Sequence, residues 1–445
     1  MPKKYGKSGR KKNGKRKPYT GMPQRIAAID ADNSSPSYPV APKKRQGFCE
    51  ESVLSEIDKA QSTDQLLDAL KTSYNNIRSL DKRTRQKHGF FFRREVSPQV
   101  SRLTTLLSQA SHHHIAYIMR FSGKLGMELD TEFIQKWSDR FEETIPDMNK
   151  AELAASLHGL REMRLYPSAE MLESVTDRFM DLQLCGPDER LNCGELTRIF
   201  ADHAEAGIVP DERLFLAWRD ECSRNQDKND YQESRSLLRS LAIFDILRPD
   251  WGLKAFAERV DEQLRKLNHA KDGQDHALMQ ARMWFDLPLN SIPTSHESLD
   301  HKSKTELRFR SLLEDSTRIV VEDGEYLPEL PRYCDMKQNY FGTPVHIEYD
   351  GAFHFSRDIK NPAHEGHDIY NGSTVLQSAL MEKFRPTEHF LRVRDSDGKF
   401  LQRIPADMSK ASLRRIMNEV VNSPPGVYET KLYCGGNIGP HLPAQ

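Results

Sequence analysis

The chain has 445 residues, 37% of them hydrophobic, a mean hydropathy of −0.71 and a formal net charge of zero, with 65 Lys and Arg against 65 Asp and Glu. That length exceeds one ordinary core and predicts two or three domains with linkers, while the absence of any apolar run approaching roughly 18 residues argues against a membrane span. Six cysteines without a CxxC pair argue against a thiolate zinc site or a disulfide framework, and predict a soluble protein of a reducing interior, cytoplasmic by default.

The zero net charge hides an uneven arrangement. The first 18 residues carry nine Lys and Arg and no acid, so the remainder is net acidic. With almost nothing apolar to bury, residues 1–46 are expected to be a disordered basic arm and linker. Lys11, Lys12, Lys15, Arg16 and Lys17 are its candidate nucleic-acid contacts, held by charge and without sequence reading. The same run would also serve as an organellar or nuclear address, or for solubility. From 47 to 110 the pattern is helical, with Leu54, Ile57, Leu66, Leu67 and Leu70 at helix-like spacings. The patch 89–94, GFFFRR, reads as buried Phe flanked by solvated Arg, or else as a platform for stacking bases. His112, His113 and His114 are adjacent, so on a helix they point in different directions and are not read as a metal site.

Residues 111–268 repeat. With Leu129, Pro167, Pro210 and Arg248 as anchors, Met119, Leu157, Phe200 and Leu238 stand ten residues before them. Ile134, Leu172, Phe215 and Leu253 stand five after, Trp137, Val175, Trp218 and Phe256 eight after, and Phe141, Phe179, Cys222 and Val260 twelve after. Every column is apolar, which predicts units of 38 to 43 residues, each a pair of amphipathic helices around a turn. One pair cannot bury its stripe alone, so about four units are expected to stack as an α-solenoid. The stretches LREMRLYPSAEMLESV and LAIFDILRPDWGLKAF resemble octotricopeptide-type repeats of organellar RNA-binding proteins. That resemblance implies a surface for single-stranded RNA.

Residues 269–301 lose periodicity and read as a linker. From 302 to 421 the pattern turns mixed: a helix at 303–314, strands at 318–321, 332–336 and 344–349, a helix at 374–384 capped by Ser373 or Thr374, a strand at 388–393 and a helix at 409–421. Residues 422–445, rich in Pro and Gly, are expected to be a flexible tail. In 343–355, TPVHIEYDGAFHF, Glu348 and Asp350 leave the same face of a strand. Two buried carboxylates raise each other's pKa unless a divalent cation or a cationic side chain lies between them.

The element order resembles the restriction-endonuclease-like core of the PD-(D/E)xK superfamily. IEYDGAFHF followed by NGSTVLQSALMEKF more closely resembles the RAP domain, which is found in FAST kinase-like and octotricopeptide proteins and is similar in fold to very-short-patch repair endonucleases. The resemblance implies Glu306 as the first-helix acid, Asp335 and Glu348 as Mg²⁺ ligands, and Asp350 with His354 completing a catalytic set. Asp350 stands where the superfamily has its lysine. Ordinary explanations stay open for each: a solvated helix residue for Glu306, a water-facing Asp335, a turn at Asp350-Gly351 and a packed imidazole for His354.

The leading expectation is an RNA-binding protein of RNA processing or transcript stability. A Mg²⁺-dependent endonuclease of RNA or DNA is the second. A protein-binding solenoid without a nucleic-acid role, delivered into another cell or compartment, is the third.

Overall fold

A computed structural model of the chain describes residues 48–184, 191–225, 230–267, 275–289, 304–324, 326–327, 332–351, 354–359, 369–395, 406–431 and 438–440. The basic arm with Lys11, Lys12, Lys15, Arg16 and Lys17 lies outside the described residues.

The described chain is mostly helical, with a small mixed-sheet region toward its C-terminal end. Glu50–Asp58 (α1), Thr63–Arg78 (α2) and Lys82–Phe91 (α3) lead into a π-helical turn, Phe92–Val96, and two short helices, Ser97–Ser101 (α4) and Thr104–Leu107 (α5). Then come His112–Lys124 (α6), Thr131–Thr144 (α7), Lys150–Glu162 (α8), Ala169–Leu184 (α9), Cys193–Ala206 (α10), Glu212–Asn225 (α11), Tyr231–Leu247 (α12), Lys254–Leu267 (α13) and His276–Trp284 (α14). Helices α2, α6, α8, α10, α12 and α14 each pack against the next, while α7, α9, α11 and α13 each pack against the helix before them.

Local chemistry explains where the pairs begin. Helices α6, α8, α10 and α12 each open with a reciprocal capping box, in which Ser111, Asn149, Asn192 and Asp230 accept from a backbone N–H three residues on, and His114, Glu152, Glu195 and Glu233 accept from the cap's own N–H. All these caps precede their anchors by the same 18 positions. The apolar columns are buried at every member except Leu172, which is half-buried. Polar contacts keep the offset too. Arg140 Nε donates to the Ala110 carbonyl at 2.9 Å, and Arg178 Nε, at the equivalent place, donates to the Met148 carbonyl at 2.8 Å.

Strand Leu165–Tyr166 (β1) lies between α8 and α9. After helix Lys304–Thr317 (α15) come Glu322–Asp323 (β2), Tyr326–Leu327 (β3), Arg332–Tyr333 (β4), Met336–Tyr340 (β5), Thr343–Asp350 (β6), Phe355–Asp358 (β7) and Ile369–Tyr370 (β8). Helix Gly372–Phe384 (α16), strand His389–Arg394 (β9), helix Ala406–Asn422 (α17) and strands Gly426–Lys431 (β10) and Ile438–Pro440 (β11) complete the unit. The main sheet runs β11-β10-β9-β6-β5-β2, with β6, β9 and β10 parallel and the outer pairs antiparallel. Val345, Ile347, Tyr349, Leu391 and Val393 turn one face toward Phe309 and Leu313 of α15 and Leu413, Ile416 and Met417 of α17. Across the other face, Leu376, Leu380 and Met381 of α16 join Phe390 and Val427 to the core of the helical array. One face of the sheet thus shares the core of the helical array, and the other has a core of its own.

The structure corrects several sequence expectations. Arg318, with φ 60°, takes a left-handed turn after α15, so 318–321 is not a strand and pairing starts at β2. The expected strand 332–336 breaks at Cys334-Asp335 into β4 and the start of β5. Within 269–301, α14 packs on α12 and α16, being too short to show a clear helical period. The expected tail supplies β10 and β11; Pro424, Pro425 and Gly426 serve as the turn into a strand that pairs along β9.

Candidate functional site

Strand β6 alternates, and its second face carries His346, Glu348 and Asp350, all at most 2% exposed. The neighbouring parallel strand β9 answers with Arg392 and Arg394, in register with Glu348 and Asp350. Arg392 forks onto Asp350, its Nε donating to Oδ2 at 2.7 Å and its Nη2 to Oδ1 at 2.6 Å, with both side chains fully buried. Burial alone would lower the Arg392 pKa, but the Asp350 and Glu348 carboxylates outweigh it and raise the guanidinium above its ordinary value. Removing one partner of such a pair costs about 3–5 kcal/mol, because the other charge is left uncompensated.

Around this fork the network closes. Arg394 Nη1 donates to Glu429 Oε1 of β10 at 3.2 Å, and its guanidinium lies 4.4 Å from the Phe355 ring centre and 5.4 Å from that of Tyr370. Burial, reinforced by Asp350 and Glu429, pushes the Tyr370 phenol well above its ordinary pKa. His354 Nδ1 lies 3.1 Å from Asp350 Oδ1 and 3.2 Å from Thr374 Oγ1. Tyr349 donates its phenolic hydrogen to Asp395, whose N–H donates to the Asp350 carbonyl at 2.9 Å.

The segment NGST, 371–374, connects this network to the helical array. Asn371, not Ser373 or Thr374, is the N-cap of α16, its Oδ1 accepting from the Thr374 N–H and hydroxyl at 3.0 Å each. Helix α16 therefore starts earlier than the sequence suggests. A Cβ on Gly372 would meet the Ala204 carbonyl oxygen at 1.9 Å, so only glycine permits this approach to α10. Gly207, at φ 75°, ends α10 and lies equally close to the Tyr370 carbonyl. Arg239 of α12 donates to Ser373 Oγ while also bridging Glu205 of α10.

The structure therefore gathers Glu348, Asp350 and His354. Asp335 turns its Oδ2 to the Tyr349 backbone N–H at 2.9 Å, and Glu306 stands in the first turn of α15, the helix that covers the opposite sheet face. Of the two compensating charges open for the carboxylate pair, a cationic side chain holds Asp350. Both its oxygens are engaged by Arg392, so the residues do not fit Mg²⁺ there. Among the described residues no group of three or more His, Cys, Asp or Glu is arranged to hold a metal ion. Sequence reasoning missed Arg392 and Arg394, although LRVRD places two arginines at strand spacing beside a predicted acidic strand.

A second polar feature runs along the helices. Lys124 of α6 bridges Glu162 of α8 at 3.5 Å, and Arg161 and His158 of α8 bridge Asp202 of α10 at 2.9 and 3.3 Å. Next, Arg198 of α10 reaches Glu233 of α12 at 3.2 Å, and Arg235 of α12 reaches Asp275 at the start of α14 at 3.1 Å. His112 and His113 both reach Glu152 of α8, at 2.9 and 3.3 Å, whereas His114 turns to Asp64 at 2.8 Å. In the patch 89–94, Phe91 and Phe92 are buried and Phe90 is 58% exposed beneath Arg94. No described helix is long and apolar enough to cross a membrane. Compared with protein-family models and with curated proteins, the chain matches none.

Proposed function

We propose that the chain is a single-stranded RNA-binding protein of RNA processing or transcript stability. In this reading its helical pairs are an α-solenoid of octotricopeptide-like repeats, and the C-terminal unit is a RAP-like domain with a restriction-endonuclease-like core. The observation that carries the reading is the polar ladder: cationic and acidic side chains recur on successive helices whose starts are set by capping boxes at one constant offset. Such a row suits an extended strand, because guanidinium planes stack on unpaired bases and paired polar groups hydrogen-bond their edges. The basic arm adds phosphate contacts.

Hydrolysis has less support. Asp350 is closed by Arg392 and buried, which suits a group that stabilises the sheet more than one that holds a metal at a scissile phosphate. Fluorescence anisotropy of the full chain with a labelled 20-nucleotide RNA tests the reading. Binding is expected at low ionic strength and falls steeply with added salt. An absence of binding at low salt overturns it. Intact RNA after incubation with Mg²⁺ or Mn²⁺ is the expected companion result, and cleavage lost in Asp335→Ala or Glu348→Ala would restore the hydrolytic reading.

A further inference from the structure

The first pair of the ladder, Lys124 with Glu162, opens onto a further concentration of positive charge. A cleft of about 570 Å³ lies where α2, α3, α6, α8 and β7 meet. Arg78 ends α2, Arg85 lies on α3, and Arg93 lies on the π-helical turn; Lys124 ends α6, Arg164 follows α8, and Arg357 comes from β7. Against these six cations stand two carboxylates, each with a cation already beside it. Glu128 takes Arg93 at 3.1 Å, and Glu162 takes Lys124 and Arg161.

The backbone brings the last two arginines together. Strand β1, from the helical array, pairs in parallel with β7 of the α/β unit, and the Arg357 N–H donates to the Arg164 carbonyl at 2.8 Å. Arg164 adopts φ 56°, a left-handed conformation that a non-glycine side chain rarely takes and that its surroundings must hold against strain. Burial, with the Arg357 guanidinium adding to it and the Glu128 carboxylate opposing it, pushes Arg164 below the ordinary arginine pKa. The π-helical turn that carries Arg93 is itself a distortion common at functional sites. Like charges held close by strained backbone are stabilised when an anion lies between them.

We propose that this cleft is a phosphate site, in which Arg164 of the helical array and Arg357 of the α/β unit together hold backbone phosphates of single-stranded RNA. The proposal rests on the RNA-binding reading and deepens it: the strand is gripped at the seam between the two regions. Guanidinium forks match phosphate oxygens bidentately, and the Arg164–Arg357 pair presents two forks from independent elements.

The test uses the full chain and a labelled 20-nucleotide RNA across a salt series. The variants are Arg164→Gly, which removes the charge and relieves the left-handed strain, Arg357→Gln, and Arg357→Lys, which keeps the charge without the fork. Loss of one phosphate contact is expected to lower the slope of log affinity against log salt by about 0.7 and to weaken binding several-fold at intermediate salt. Arg357→Lys is expected to fall between Arg357→Gln and the parent chain. Urea midpoints confirm folding, with Arg164→Gly at least as stable as the parent. If the folded variants bind RNA with the parent's affinity and slope, the cleft assignment fails and the RNA-binding reading stands. If the parent chain binds no RNA at low salt, both fail together.

Discussion

The helical array and the α/β unit treat charge differently. In the array, the charges of the ladder sit in pairs that solvent reaches while the apolar columns fill the interior, and Asp261 of α13 with Arg282 of α14 forms a separate buried pair at 2.6 Å. In the α/β unit, Glu348, Asp350, Arg392 and Asp395 are at most 1% exposed and Arg394 is only 6% exposed. The ladder's pairs each join two helices, whereas the unit depends on one closed network whose parts fail together. They are joined by close approach at Gly207 and Gly372, by the β1–β7 pairing, by the Arg239–Ser373 hydrogen bond and by a shared core.

The sharpest way to break the comparison is Arg392→Met. It leaves Asp350 and Glu348 buried without their guanidinium, and a loss of about 3–5 kcal/mol is expected in urea unfolding. Adding Asp350→Asn to it is expected to recover part of that loss, because one of the two stranded charges disappears. A smaller effect, about 1–3 kcal/mol, is expected of Gly372→Ala, whose new methyl group must displace the Ala204 carbonyl. Hydrogen exchange should then accelerate in α16 and β8 first, with α6 and α8 unchanged; uniform acceleration would refute the idea of a local seam. Single replacements Asn149→Ala, Asn192→Ala and Asp230→Ala are each expected to cost about 1 kcal/mol and to add when combined. Strong non-additivity in the unfolding midpoints would show the caps to be coupled rather than serial.

The smallest effect concerns pH. His203 of α10 is 5% exposed, and burial lowers its pKa from 6.5, so below that value the unfolded chain binds a proton that the folded chain refuses. Stability is therefore complete above about pH 6.5 and declines as pH falls, with a limit of roughly 1.4 kcal/mol per unit for this group. His203→Gln should flatten that slope in thermal unfolding between pH 7 and 5.5, and an unchanged slope would assign the acid sensitivity elsewhere.

Much of the fold was legible in the residues themselves. The apolar columns located the helical pairs because burial of one stripe is a local, periodic demand, and Trp137, Phe200 and Trp218 carry it with bulk that chance seldom places. An apolar run bounded by a turn signal found β6, expected at 344–349 and observed at Thr343–Asp350, with Asp350 inside the strand. The partners of Asp350 were harder. Arg392 belongs to a strand 42 positions later, and which strands become neighbours is set by the packing of helices between them. Strand β10 was hidden by Pro424 and Pro425, which signal a turn but carry no mark of the strand beyond it. Of the cleft, the sequence marked the patch 89–94, which supplies Gly89 and Arg93, and left the other cations unmarked. The cleft's six cations come from five elements and the turn after α8, and the β1–β7 pairing makes neighbours of Arg164 and Arg357.

That pairing also bears on how the chain is made. Strand β1 leaves the ribosome about 190 residues before β7, so during synthesis its hydrogen-bonding edge and the adjoining apolar patch on α10 and α12 wait without their cover. Nascent chains halted before α16 are consequently the species most prone to sticking to one another, and chaperone demand should drop once translation has passed that helix.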